Sequence, residues 1–309
     1  MAVTLIAVSP FDLLFAQVAR QYSLWTVAIL LSSAAILRAI RLNTKLTWGI
    51  YAATVVMGLY SHLAFGLVAI GHGIYVVIID KFRLSKTLIA YLLASVVGLL
   101  AFAPWLLVVI NNSKHIYKAV GKTESKSFWY LVREWAVNTS SIFIDINFDY
   151  IDNPAKYLLI IPILILVVYS LYFLWHRAPK QAGIFIFLLI GITAISLILP
   201  DLIYQTSRSV TSRYMIPCYL GIQIAVAYLL ATKITSIYVN ARQQKLWQLV
   251  LIALISGSIL SCAMISQAEA WWNKGSSYGS GKYVVISPSR LQTRIVMMNK
   301  IPNSTNMIL

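Results

Sequence analysis

Acidic side chains are nearly missing from this sequence: nine Asp and Glu stand against 25 Lys and Arg in 309 residues, a formal net charge of +16. Charge of either sign is scarce, at 11% of the chain where soluble domains carry about 25%. A water-soluble protein of this length could not hide a composition that is 60% hydrophobic, with a mean hydropathy of +0.78. The class is therefore a multi-span membrane protein. In a soluble chain the positive balance would suggest nucleic acid; here many basic residues sit in short connections between apolar runs, where they orient spans, so no nucleic-acid partner is expected. Cysteine is scarce as well. Cys218 and Cys262 lie in or beside apolar runs and offer neither a disulfide framework nor paired metal-ligand spacing. P-loop and dinucleotide signatures are missing, so no cofactor is expected. The opening "MAVTLIAVSPFDLLFAQ" lacks the basic start of a signal peptide.

What is there is apolar sequence in long blocks. A hydrocarbon core about 30 Å thick needs about 20 residues at 1.5 Å each. Runs at 22–40, 87–110, 157–175, 183–200, 214–232 and 247–266 each suit one crossing, whereas 46–79 is nearly twice too long. Splitting it at Ser61-His62 gives about eight spans. The split makes every second connection basic: Arg38, Arg41 and Lys45; Lys81, Arg83 and Lys86; Arg177 and Lys180; Lys233, Arg242 and Lys245. Those connections read as cytoplasmic. The expected fold class is all-α, a polytopic transmembrane helical bundle over residues 1–266, with a tail from 267 to 309 on the outer side.

The outer side then holds the opening stretch, the Ser61-His62 turn, the loop 201–213 and a long segment at 111–156. In that segment "SFWYLVREWAV" spaces Phe128, Val132 and Trp135 as a helix lying in the headgroup plane. "FIDINFDYIDNP" alternates like a short strand. Asp145, Asn147 and Asp149 imitate the start of a calcium loop, but Tyr150 replaces the required Gly and Lys156 the required Glu, so no metal is expected.

Two arginine clusters are candidate sites. Pro10 should break any helix arriving from the N-terminal side. The polar residues that follow, Gln17, Arg20 and Tyr22, then meet water or headgroups. In "QTSRSVTSRYMIP", Arg208, Arg213 and Tyr214 stand at the mouth of another span. Arginine's planar donor fork suits a phosphate; both clusters equally suit simple anchoring at the interface. His62 marks the outer turn of a helical hairpin. His72 lies within a span among Gly66, Gly71 and Gly73, where a neutral imidazole bonding across closely packed helices is the simpler reading.

The segments "SPFDLLFAQVARQYSLW", "LYSHLAFGLVAIGHGIYVV" and "SRYMIPCYLGIQIAVAYLLA" resemble bacterial polytopic glycosyltransferases of the C-type superfamily. The branch is that of protein O-mannosyltransferases and lipid A aminoarabinose transferases. The similarity covers most of residues 1–270. It implies a sugar donor on a polyprenyl phosphate and transfer on the outer face, usually with inversion, to a lipid, glycan or protein acceptor. It also implies a bacterial inner (plasma) membrane location. A carboxylate in the first outer loop would act as general base, and arginines would hold the departing lipid phosphate. The family's acidic motif lies upstream of the "SPF" stretch, and here Asp12 is the only carboxylate expected on the outer side in the first hundred residues. The resemblance thus implies a fragment, with residues 1–8 the end of an earlier helix and with no assignable catalytic base. Two other classes compete with the enzyme: a transporter or flippase of a lipid-linked substrate, which would place ionisable groups around a midplane cavity, and a non-catalytic membrane remnant.

Overall fold

A computed structural model describes residues 1–18, 20–112, 126–147, 157–236 and 240–267. Met1–Gln267 forms one compact unit. The expected outer tail lies, Gln267 apart, outside the described residues. Among those described there are helices and no strand.

The opening stretch folds as two short helices, α1 (Ala2–Ala7) and α2 (Pro10–Ala16). Pro10 starts α2 at the position where its missing N–H costs nothing, and the Ser9 hydroxyl caps the helix by accepting from Asp12 N. The long helices are α3 (Tyr22–Leu42), α4 (Lys45–Ser61), α5 (Phe65–Ile79) and α6 (Lys86–Asn111). After α7 (Phe128–Ser140) come α8 (Tyr157–Arg177), α9 (Lys180–Tyr204), a 3-10 turn at Ser212–Met215, α10 (Ile216–Thr235) and α11 (Ala241–Gln267).

The connections explain the breaks. Asn43 ends α3 in the left-handed conformation, φ 47°, and accepts from the Trp48 indole at 2.9 Å. Thr44 and Thr47 then cap α4 reciprocally. The apolar block 46–79 does divide at Ser61-His62: His62 is extended, φ −159° and ψ 129°. Gly58 makes the bend possible, because a Cβ there would sit 2.4 Å from the fully buried Phe65 ring.

Six helical segments among the described residues are long and apolar enough to cross a membrane: α3, α6, α8, α9, Ser212–Thr235 and α11. The chain is an integral, multi-pass membrane protein. The count falls below the eight expected because α4 and α5 have 17 and 15 residues, about 26 and 22 Å of helix against about 30 Å of hydrocarbon. Leu93, Val97, Leu100 and Leu107 on α6 point outward with more than half their surface exposed, which suits lipid and would not suit water.

At the centre stands α10. It is buried almost all round, from Ile216 to Leu230, as expected of a helix without a polar face. It packs against α1, α8, α9, α11 and α3. Gly221 lets it approach α9 closely, since a Cβ would meet Ile190 at 2.4 Å. Near its end the Lys233 ammonium sits 5.1 Å from the Phe173 ring centre, with Tyr169 and Trp247 at 5.9 and 6.0 Å.

One further expectation is corrected. Residues 143–147 form no strand, because helix side chains take their backbone groups. Ser258 donates to Phe143 O at 2.6 Å and Asp145 N donates to Ser261 Oγ at 3.0 Å, while the neighbouring Ile142 O accepts from Ser9 at 2.9 Å. The rest of that stretch, with Asp149 and Lys156 of the calcium-like pattern, lies outside the described residues. The helix expected around Phe128, Val132 and Trp135 is present as α7; its buried face runs through Leu131, Glu134, Val137 and Asn138, while Phe128 and Trp129 face outward.

Candidate functional site

Three distant segments meet around one imidazole. Tyr22 opens α3, and Trp25 follows one turn later with no exposed surface. The Trp25 ring stacks on His62 at 4.1 Å and 12°. Tyr22 lies 6.4 Å from the His62 ring and Tyr214 lies 6.2 Å from it on the other segment. The Arg213 guanidinium rests over Tyr214 at 5.2 Å. Four of the expected residues, Tyr22, His62, Arg213 and Tyr214, are thus gathered. An aromatic ladder holds the first of them: Tyr219 meets Phe11, Phe11 meets Phe15, and Phe15 meets Tyr22, all edge-on at 4.8 to 5.2 Å.

The remaining three expected residues lie at the surface. Gln17 and Arg20 are exposed on the α2–α3 connection. Arg208 is exposed, and its backbone N–H donates to Asp201.

The electrostatics of the cluster are one-sided. The Ala64 N–H donates to His62 Nδ1 at 3.1 Å, so the neutral ring carries its proton on Nε2. Burial lowers the His62 pKa from its ordinary 6.5, and the nearby Arg213 charge lowers it further. The Trp25 indole N–H is buried and finds no acceptor among the described residues. Such a donor is uncommon in a folded interior and is filled in many proteins by water or ligand.

The loop that presents Arg213 is tied down by Asp201, which is fully buried at the end of α9. Its carboxylate accepts from Thr206 Oγ1, Arg208 N at 3.0 Å, Ser209 N at 2.6 Å and Ser209 Oγ at 2.5 Å. The knot reaches α7, because Trp135 donates to Ser209 Oγ and Asn138 to Val210 O, both at 2.9 Å. Sequence reasoning missed Trp25 and Asp201. The signals were present, as the Tyr-x-x-Trp spacing of one helical turn and as an Asp followed by a Thr/Ser-rich stretch.

Asp12, the one early outer-side carboxylate expected, is not in the cluster. Gln223 on α10 donates to its Oδ2 at 2.9 Å, which locks α2 onto the central helix. His72 bonds across helices as expected, to Tyr51 Oη at 3.2 Å and Ser33 Oγ at 3.4 Å, and stacks on Phe185. The cavity beside it, near Thr193 and Ile192, holds only about 10 Å³, about enough for one water. No family model, no curated protein and no solved structure matches this chain.

Proposed function

We propose that this chain is a membrane glycosyltransferase of the C-type kind. It takes a polyprenyl-phosphate-linked sugar at the Arg213–Tyr214–His62–Tyr22 cluster and passes the sugar to a lipid, glycan or protein acceptor. The observation that carries the reading is the convergence of Tyr22 and the Arg213–Tyr214 pair, separated by nearly two hundred residues, on one histidine. Aromatic faces suit an allylic chain or a sugar ring, and a guanidinium suits the phosphate between them. Among the described residues no carboxylate contacts these rings, so the cluster serves the departing phosphate, whose charge grows as the anomeric bond breaks. In this reading α4 and α5 complete an eight-helix topology. The basic connections then lie in the cytoplasm and the cluster at the outer face of a bacterial inner membrane.

The small, saturated surroundings of His72 give no support to a transport route through the midplane, which would need a roomy polar cavity. Binding of farnesyl phosphate to the purified full chain in nanodiscs tests the phosphate role. Arg213→Ala is expected to weaken it at least about tenfold, as loss of a charge-assisted contact does. Equal affinity in both proteins overturns the assignment.

A further inference from the structure

The reading above names a phosphate site; the local geometry of His62 goes further and assigns the charge state in which it binds. An imidazole beside an anion is ordinarily expected to bind as the cation, with affinity lost as the pH rises. Three features oppose that here. The Ala64 N–H points at Nδ1, so a second ring proton would set two donors against each other and break the turn that joins α4 to α5. The ring is pinned flat on Trp25, which fixes where Nε2 points. The titratable and charged groups facing it are Tyr22 from α3 and Arg213 and Tyr214 from the 3-10 turn. None of these is an anion at neutral pH, and one is a cation.

Nε2–H, meanwhile, donates to no described residue, and the neighbouring Trp25 N–H is an unmatched buried donor. Two neutral donors therefore adjoin one permanent cation, and no counter-anion from the protein is described among them. We infer that His62 binds as a neutral imidazole, donating Nε2–H to a phosphate oxygen beside Arg213, so that the site takes a singly charged phosphodiester of the polyprenyl-phosphate-sugar type with pH-independent affinity. The inference rests on the proposed function for the identity of the ligand class. The burial of the ring, which already disfavours the imidazolium, acts in the same direction.

A farnesyl methyl phosphodiester is a suitable probe, because its single charge does not itself titrate near neutrality. Binding to the full chain in nanodiscs is expected to stay flat from about pH 5 to about pH 8, the window in which a histidine ordinarily changes charge. Two substitutions separate the ring nitrogens. His62→Asn keeps an acceptor for Ala64 N–H but has nothing at the Nε2 position; His62→Gln carries an amide N–H near Nε2. The Asn variant is expected to bind at least about tenfold more weakly and the Gln variant within about threefold of the parent, the usual effect of losing or keeping one hydrogen bond to a charged group. In the ¹⁵N-histidine spectrum of the unbound protein His62 should show its protonated nitrogen at Nε2, a readout that needs no variant to fold. Equal losses in the Asn and Gln proteins, affinity falling as pH rises, or an Nδ1–H signal would each overturn the inference and leave the phosphate site intact. Absence of binding by the parent, or indifference to Arg213→Ala, would instead remove the site itself.

Discussion

The Asp201 knot offers the sharpest test of how the loop bearing Arg213 is held. Asp201→Asn keeps the shape of the side chain and changes one oxygen to NH₂. The carboxylate takes two donors on each oxygen: Thr206 Oγ1 and Arg208 N on Oδ1, Ser209 N and Ser209 Oγ on Oδ2. The hydroxyls can turn and become acceptors, but the backbone N–H groups cannot. Whichever way the amide is placed, it faces a backbone donor, that of Arg208 or that of Ser209. One charge-assisted bond is lost, a buried donor is left unmatched, and the surviving bonds fall to neutral strength; together these cost about 3–5 kcal/mol. Thermal unfolding of the detergent-solubilised chain, followed by tryptophan fluorescence, should show a Tm lower by roughly 10 °C. Hydrogen exchange should rise in α7 as well, since Ser209 and Val210 are its anchors. A shift under about 2 °C, with α7 still protected, would refute the claim that this carboxylate organises the loop.

Other expectations are simpler. Gly58→Ala should destabilise the chain by about 1–3 kcal/mol, the usual cost of overpacking, and Gly58→Ala/Phe65→Leu should recover part of it, because the clash is with the Phe65 ring; thermal melts of both decide. Trp25→Phe keeps a ring against His62 and removes the unmatched indole donor, so stability should hold within about 1 kcal/mol while phosphodiester binding weakens. A melt that collapses would show that the indole has a partner of its own. His62 has a folded pKa below its ordinary 6.5, so the unfolded chain takes up the proton first. Stability should therefore be full above about pH 7 and fall as pH drops through 6.5 toward the folded value, a component missing from the His62→Gln titration.

Much of the membrane architecture was legible because lipid imposes a simple rule. Backbone groups must be satisfied within each helix, so apolar run length reads directly as a helix. The division of 46–79 at Ser61-His62 was found this way, from the excess length of the run, with charge alternation in support. The lengths on either side of the break were not, because the apolar run continues through a turn that Gly58 and Phe65 decide by shape. Residues 143–147 read as a strand for a similar reason. Alternation reports which side chains face inward, but it cannot report that Ser258 and Ser261, more than a hundred residues later, will take the backbone partners a strand would need.

The site divides along the same line. Residue type and topology were enough to place Tyr22, His62, Arg213 and Tyr214 at one end of the bundle, since each sits at a helix boundary on the same parity of connection. They were not enough to choose among the arginines. Arg208 and Arg213 look equivalent in "RSVTSR", five residues apart. What separates them is Asp201: by capturing the backbone of Arg208 and Ser209 it fixes the loop, and the 3-10 turn at Ser212–Met215 then carries Arg213 onto Tyr214. The acidic residue most visible to sequence reasoning, Asp12, is spent on Gln223 and the placement of α2, while Asp201, which seemed to have no role, selects the arginine that reaches the histidine. In a chain with nine carboxylates, the geometry of the candidate site is set as much by where the few negative charges are consumed as by where the many positive ones stand.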